Sequence, residues 1–229
     1  SEFMAHRAFS RGAMGSRAVP VAKMIEQVRN DPAMPVHWGE NRLGMPAVDD
    51  LTGEALINAL MTWRSAAAKA ADSAELMMGS SILEPFQWMH TVVTATEWDN
   101  FFASRCHPDA QPEMQSLAWA MREAMDASTP WPTEHHFPYV REEDGVMSMW
   151  RRAMISAARC ARVSYLKHDG TAPSIGEDLA LFERLAGGTP IHASPLEHQG
   201  FAMEHPRRRS RNFVGWWQFR ELLEERGLA

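Results

Sequence analysis

Two short clusters hold most of the groups able to do chemistry. His6, Arg7, Ser10 and Arg17 bring two permanent cations, an imidazole and a hydroxyl close together, a set suited to the oxygens of a phosphate or pyrophosphate. A solvated, arginine-bearing helix end accounts for the same residues. The second cluster, His192-Ala193-Ser194-Pro195-Leu196-Glu197-His198, sets polar groups around a proline that restrains the turn. Its spacing matches no zinc-binding helix pattern, and Ser194 lacks the G-x-S-x-G elbow of a hydrolase nucleophile, so no metal site is expected. Cys106 beside His107 suggests a thiolate, but neighbours in sequence need not be neighbours in space, and a structural cysteine is the simpler reading. Arg207-Arg208-Arg209-Ser210-Arg211, followed by Phe213, Trp216, Trp217 and Phe219, suits either nucleic-acid backbone with stacked bases or a solvated loop ahead of a core aromatic helix. The acidic balance of the chain favours the second. No glycine-rich phosphate loop is present.

An ordinary globular chain must position these groups. It has 229 residues, 45% hydrophobic and 23% charged, which excludes disordered, collagen-like and coiled-coil architectures. A formal charge of −6 argues against broad nucleic-acid coating. Two cysteines fit a reducing cytoplasm and cannot build a disulfide framework. No apolar run approaches the roughly 18 residues that span a membrane. Sixteen methionines and nine tryptophans are read as core filling. Ser1-Glu2-Phe3 before Met4 is either a cloning remnant or the continuation of a native upstream segment.

Val21, Met24, Ile25 and Val28 predict an amphipathic helix entered through Pro20 and ended by Asp31-Pro32. Residues 35–50 read as a long loop, and 52–78 as a helix stopped by Gly79. Leu83-Glu84-Pro85-Phe86 breaks the helix, and residues 91–96 are the best strand candidate. Helices are expected from Trp98 to Arg105 and after Pro112, with Met114, Leu117, Ala118, Met121 and Met125 on one face. A proline-rich loop at 128–145 separates segments 1–127 and 146–229 of what is expected to be a single domain, 1–229. Beyond it, residues 147–159 predict a helix running into Cys160-Ala161-Arg162-Val163-Ser164-Tyr165, whose last residues look extended. Ser174 and Glu177 form a capping box ahead of Leu179, Leu181, Phe182 and Leu185, closed by Gly187-Gly188.

Together these segments resemble the flavin-dependent thymidylate synthase (ThyX) family. His6-Arg7, Ser10 and Arg17 fit the spacing of its Arg-His-Arg signature. Residues 161–165 resemble its Ala-Arg-Val-Ser-Tyr segment, and His192 to His198 its His-x-Ser-Pro-Phe-Glu-His segment. Phe101-Phe102, Arg105, Ala110-Gln111 and Glu113 are similar to its Phe-Leu-x-Leu-Arg and Ala-Gln-x-Glu helices. The order is permuted, because the second and third segments precede the signature in the usual family, as in phage-type relatives. The resemblance implies an α/β (α+β) ThyX-like fold, a mixed sheet with flanking helices, and a cytoplasmic homotetramer, in the host cytoplasm if phage-encoded. It further implies reductive methylation of dUMP at C5 through FAD, with methylene-tetrahydrofolate and NADPH as co-substrates. By the same resemblance His6, Arg7, Ser10, Asn100, Ser164, His192, Ser194 and Glu197 hold the flavin. Ser16, Arg17 and Gln87 hold the nucleotide, with Arg17 the catalytic residue.

Departures from the family bear on activity. Ala5 stands for the signature's first arginine, Gly12-Ala13 for Asn-Glu, Gly15 for the second serine, and Ser81 for a nucleotide-binding arginine. Each lost charged contact costs about 1.5–3 kcal/mol, which Arg207 to Arg211 or Arg220 can offset. Alternatives are a catalytically inactive FAD- or nucleotide-binding relative, a hydroxymethylating enzyme, or a nucleic-acid-binding module.

Overall fold

The computed structural model describes residues 8–14, 19–39, 50–77 and 80–228. Helices and short strands alternate along the chain, as a mixed α/β fold requires. The chain divides into two compact units, one of residues 1–14, 89–97 and 131–229, the other of 15–88 and 98–130.

In the second unit, helix α1 (Val21–Asn30) starts after Pro20 and packs on α2 (Gly53–Met77). The predicted stripe of Met24, Ile25 and Val28 meets Ala67, Ala70, Ala71 and Ala74, small side chains that let the helices approach closely. Leu83, from the 3-10 turn Ser81–Phe86, completes this core. Trp63 sets its ring edgewise against Trp38 and Phe86, and its Nε1 donates to the Ala33 carbonyl at 2.9 Å. Helices α3 (Asp99–Arg105) and α4 (Pro112–Asp126) pack together at the expected positions.

The first unit holds all of the described strands. β1 (Ser10–Ala13) pairs antiparallel with β2 (Thr91–Thr94), β3 (His135–His136) with β4 (Gly200–Ala202), β4 with β7 (Trp216–Gln218), and β5 (Arg209–Ser210) with β6 (Phe213–Val214). The sheet structure among the described residues is thus spread over three small antiparallel pieces. Helices α5 (Met149–Arg162) and α6 (Ile175–Ala186) pack through Ala153, Ala157, Ala158, Phe182 and Ala186. Leu196, together with Phe219 and Leu223 of α7 (Phe219–Glu225), closes that core. The Ser174 capping box forms as predicted, with Ser174 Oγ accepting from the Glu177 amide and the Glu177 carboxylate accepting from the Ser174 amide.

Two local expectations are corrected. Residues 163–165 are not extended: α5 runs to Arg162, and Val163 caps it in the left-handed region (φ 51°) with its amide on the Cys160 carbonyl. The aromatic tail is not helical before Phe219. Gly215 (φ 75°) breaks the chain between β6 and β7, and Phe213 and Gln218 turn inward.

Candidate active site

The β-branched run Thr91-Val92-Val93-Thr94 forms β2 and places Thr94 opposite Ser10 and Val92 opposite Gly12. Ser10 and Gly12 share the face that meets the 3-10 turn Ser194–Glu197 and the residue after it, His198. His198 is fully buried, and its Nδ1 lies 3.0 Å from Thr94 Oγ1. Its Nε2 has no partner among the described residues. Burial, reinforced by repulsion from His136, lowers the imidazole pKa to about 3, so the ring is neutral at physiological pH. Gly12 makes room for it, since a Cβ there would lie 3.3 Å from His198 Nε2 and 3.1 Å from Val92 Cγ1.

Beside β1 opens a cleft of about 590 Å³ lined by Arg11, Glu97, Glu197, Arg209, Asn212 and Gln218, among others. The two-residue turn joining β5 to β6 supplies Arg211 (φ 54°) and Asn212 to its wall. Glu197 is held by Arg220 at 2.5 Å, Glu97 by Arg209 at 3.0 Å, and Arg211 pairs with Glu224. Burial alone would lower the Arg220 pKa, but its hydrogen bonds to Glu197 and Glu224 outweigh that and raise it. Arg11 Nη1 is buried without a partner among the described residues.

One polar chain fixes the floor of the cleft. Asn212 Nδ2 donates to the Ala8 carbonyl at 3.1 Å, which leaves Oδ1 to accept from Gln218 Nε2 at 2.7 Å. Gln218 Nε2 also reaches Ser10 Oγ at 3.3 Å, so Gln218 Oε1, in a fully buried side chain, is left with no donor.

Of the flavin-site residues expected from sequence, Glu197 lines this cleft, and Ser10 is buried behind it, hydrogen-bonded to Asn212 and Gln218. Ser194 and His192 are exposed, and Ser164 Oγ accepts from the Leu166 amide in the turn after α5. Asn100 on α3 and Gln87 belong to the other unit, where Gln87 Nε2 is buried without a partner among the described residues. His6, Arg7, Ser16 and Arg17 lie outside the described residues. Sequence reasoning missed Asn212 and Gln218, whose only signal was polarity within an aromatic stretch. The arginine run is solvent-exposed, as the loop reading expects, while Arg208 lies over the Trp217 ring at 4.5 Å and Arg209 and Arg211 carry the ion pairs above. Cys160 is buried with its thiol pushed up to about 12, chiefly by that burial, so it is no nucleophile. Among the described residues no group of three or more histidine, cysteine or acidic side chains is placed to hold a metal ion.

The family model described as thymidylate synthase complementing protein, Thy1, matches residues 58–131, a third of the chain. Over this segment the chain is similar to that family. The Thy1 match runs from α2 to just beyond α4 and includes all of β2. The strand that carries Ser10 is therefore paired with a strand of the Thy1 segment, and Thr94 of that segment touches His198. No curated protein and no solved structure matches the chain. No described helix is long and apolar enough to cross a membrane.

Proposed function

We propose that this Thy1-like chain is a flavin-dependent enzyme that methylates C5 of dUMP reductively, taking the carbon from methylene-tetrahydrofolate and the reducing equivalents from NADPH. The β1–β2 ladder carries this reading. It joins the Thy1 segment to the signature-like strand, and the Thr94–His198 contact ties both to the His-x-Ser-Pro-x-Glu-His segment, more than a hundred residues away in sequence. The cleft beside them suits a cofactor rich in phosphate and hydroxyl groups, because Arg11, Arg209 and Arg211 line it together with the Glu197 carboxylate. FAD, once reduced, supplies the hydride for the reductive step.

The protein's own residues bind and orient. Glu197, fixed by Arg220, offers a carboxylate to ligand hydroxyls, and the Ser10–Asn212–Gln218 chain gives the floor one arrangement. Neutral, buried His198 holds Thr94 of β2 and packs opposite Gly12 of β1. His6, Arg7, Ser164, His192 and Ser194 are assigned to the flavin, with Asn100. Ser16, Gln87 and Arg17 are assigned to the nucleotide, Arg17 as the group that polarises it. The working form is a homotetramer.

The test is spectroscopic. Purified protein incubated with FAD should retain the flavin's visible absorbance through gel filtration, and the reduced flavin should be reoxidised only when dUMP and the folate are added. Absence of flavin uptake, together with failure to restore growth of a thymidine-requiring host, would remove the proposal. A second reading, a relative that binds without turning over, is favoured by Gly12, where a side chain in place of the signature's asparagine would crowd Val92 and His198. It predicts flavin uptake with no dUMP-dependent reoxidation.

A further inference from the structure

We infer that the exposed arginine run at residues 207–211, with the Trp217 ring behind Arg208, is a binding surface for single-stranded nucleic acid. It goes beyond the enzymatic reading above and does not depend on it. Arg207, Arg208 and Trp217 are not among the residues that line the cleft beside β1.

Positive charge is concentrated here and only partly committed. Residues 204–211 carry four arginines against one glutamate, in a chain whose overall charge is −6. All four guanidinium side chains belong to exposed residues. Arg209 gives one nitrogen to Glu97 and Arg211 one to Glu224, whereas Arg207 and Arg208 have no carboxylate partner among the described residues. A free, exposed guanidinium takes phosphate in a planar, two-pronged contact.

The fold holds these cations in one arrangement. The Arg208 amide donates to the His205 carbonyl at 3.1 Å, and the Arg208 carbonyl accepts from the Gly215 amide at 2.7 Å. Gly215 approaches so closely that a Cβ there would lie 2.8 Å from the Pro206 carbonyl oxygen. A turn clasped in this way has little backbone freedom left to lose on binding. Trp217 is fixed in β7 opposite Phe201 of β4 and carries the Arg208 guanidinium over its ring at 4.5 Å. Because Arg208 is exposed, its outer face is open to a nucleobase, which extends the stack. Only a single strand has bases free to stack there. A duplex or a polyphosphate would use the arginines and leave the stack idle. With the rest of the chain acidic, contact is confined to this turn and depends steeply on salt.

The experiment follows the fluorescence anisotropy of labelled RNA and DNA single strands of about twelve nucleotides, titrated with the full chain over a range of salt concentrations. Matched duplex, inorganic polyphosphate, dUMP and FAD are added as competitors. The proteins are wild type, Arg207→Gln, Arg208→Gln and, as a control, Arg122→Gln, which breaks the Arg122–Trp119 pair of α4 in the other unit. Melting temperature is measured for each. The expected result is single-strand binding whose logarithmic salt slope falls by about 0.7 in Arg207→Gln. Affinity should fall about tenfold in Arg208→Gln. Arg122→Gln and all melting temperatures should stay near wild type, and Arg207, free of contacts, keeps the test decisive even if Arg208→Gln loosens the turn. Binding that is absent at low salt, or unchanged in both Arg207→Gln and Arg208→Gln, overturns the inference. Duplex or polyphosphate competing as well as the single strand overturns it in favour of a general polyanion patch, and displacement by dUMP or FAD overturns it in favour of the cleft. Flavin uptake and dUMP-dependent reoxidation, scored on the same variants, should be unchanged, so either reading can fail while the other stands.

Discussion

His198 shows how far burial moves a single residue. Its imidazole, ordinarily near 6.5, is lowered to about 3 by the fold. Between those values the unfolded chain takes the extra proton, so this contribution to stability is complete above 6.5 and is lost as pH falls toward 3. By pH 5 the loss is about 2 kcal/mol, read in a thermal melt as a Tm roughly 4–8 °C below that at pH 7. His198→Gln should flatten that dependence, and a wild-type Tm unchanged from pH 7 to 5 would contradict the account. Gly12 belongs to the same scale. Gly12→Ala puts a methyl group 3.1 Å from Val92 Cγ1, and overpacking of this kind costs about 1–3 kcal/mol in urea denaturation. From sequence, Gly12 read as a lost asparagine. Its physical reason, the imidazole across the strand, depends on a residue far along the chain and is not legible locally.

At the scale of elements, α5 and α6 are locked by charge as well as by alanines. Arg159 Nε donates to Asp178 at 2.9 Å and its other nitrogens clasp Asp144 at 2.7 Å, while Arg162 also reaches Asp178. Burial alone would raise the Asp144 pKa, but hydrogen bonds from Arg159 and the Arg141 amide outweigh it and lower it. Asp178→Ala leaves Arg162 without a carboxylate and Arg159 with Asp144 alone, and should cost about 3–5 kcal/mol, measured as a drop in the urea midpoint. By contrast, Ser174→Ala removes only the α6 cap, about 1 kcal/mol on the same measurement. The helices were legible because their apolar period and their caps are local: Met24, Ile25 and Val28 mark α1, and Ser174 and Glu177 open α6. The tail was not, because Phe213, Trp216 and Phe219 fall at helix-like spacing. Only the pairing of Phe213 with β5 and of Trp216 with β4, together with the left-handed turn at Gly215, makes strands of the first two.

For the whole molecule, α2 leaves Ile57 and Met61, one turn apart, largely exposed, and Leu76 and Met77 follow further along the helix. An apolar helix surface of this kind suits a subunit contact. Sedimentation equilibrium should therefore return a mass above the 25.8 kDa of one chain, and Met61→Glu should shift it downward. A wild-type mass of one chain at all concentrations would remove the homotetramer. The fold class and the Thy1 helices were readable from local pattern, whereas the cleft was only half readable, Ser10 and Glu197 from motif but Gln218 from nothing nearby. The hydrogen bond between Gln218 and Ser10 spans 208 positions. During synthesis β1 leaves the ribosome long before the strand that completes its cleft, and must wait, exposed to proteases and to other chains, until nearly everything else has been translated. Ligand added to nascent chains would find no cleft until β7 has emerged.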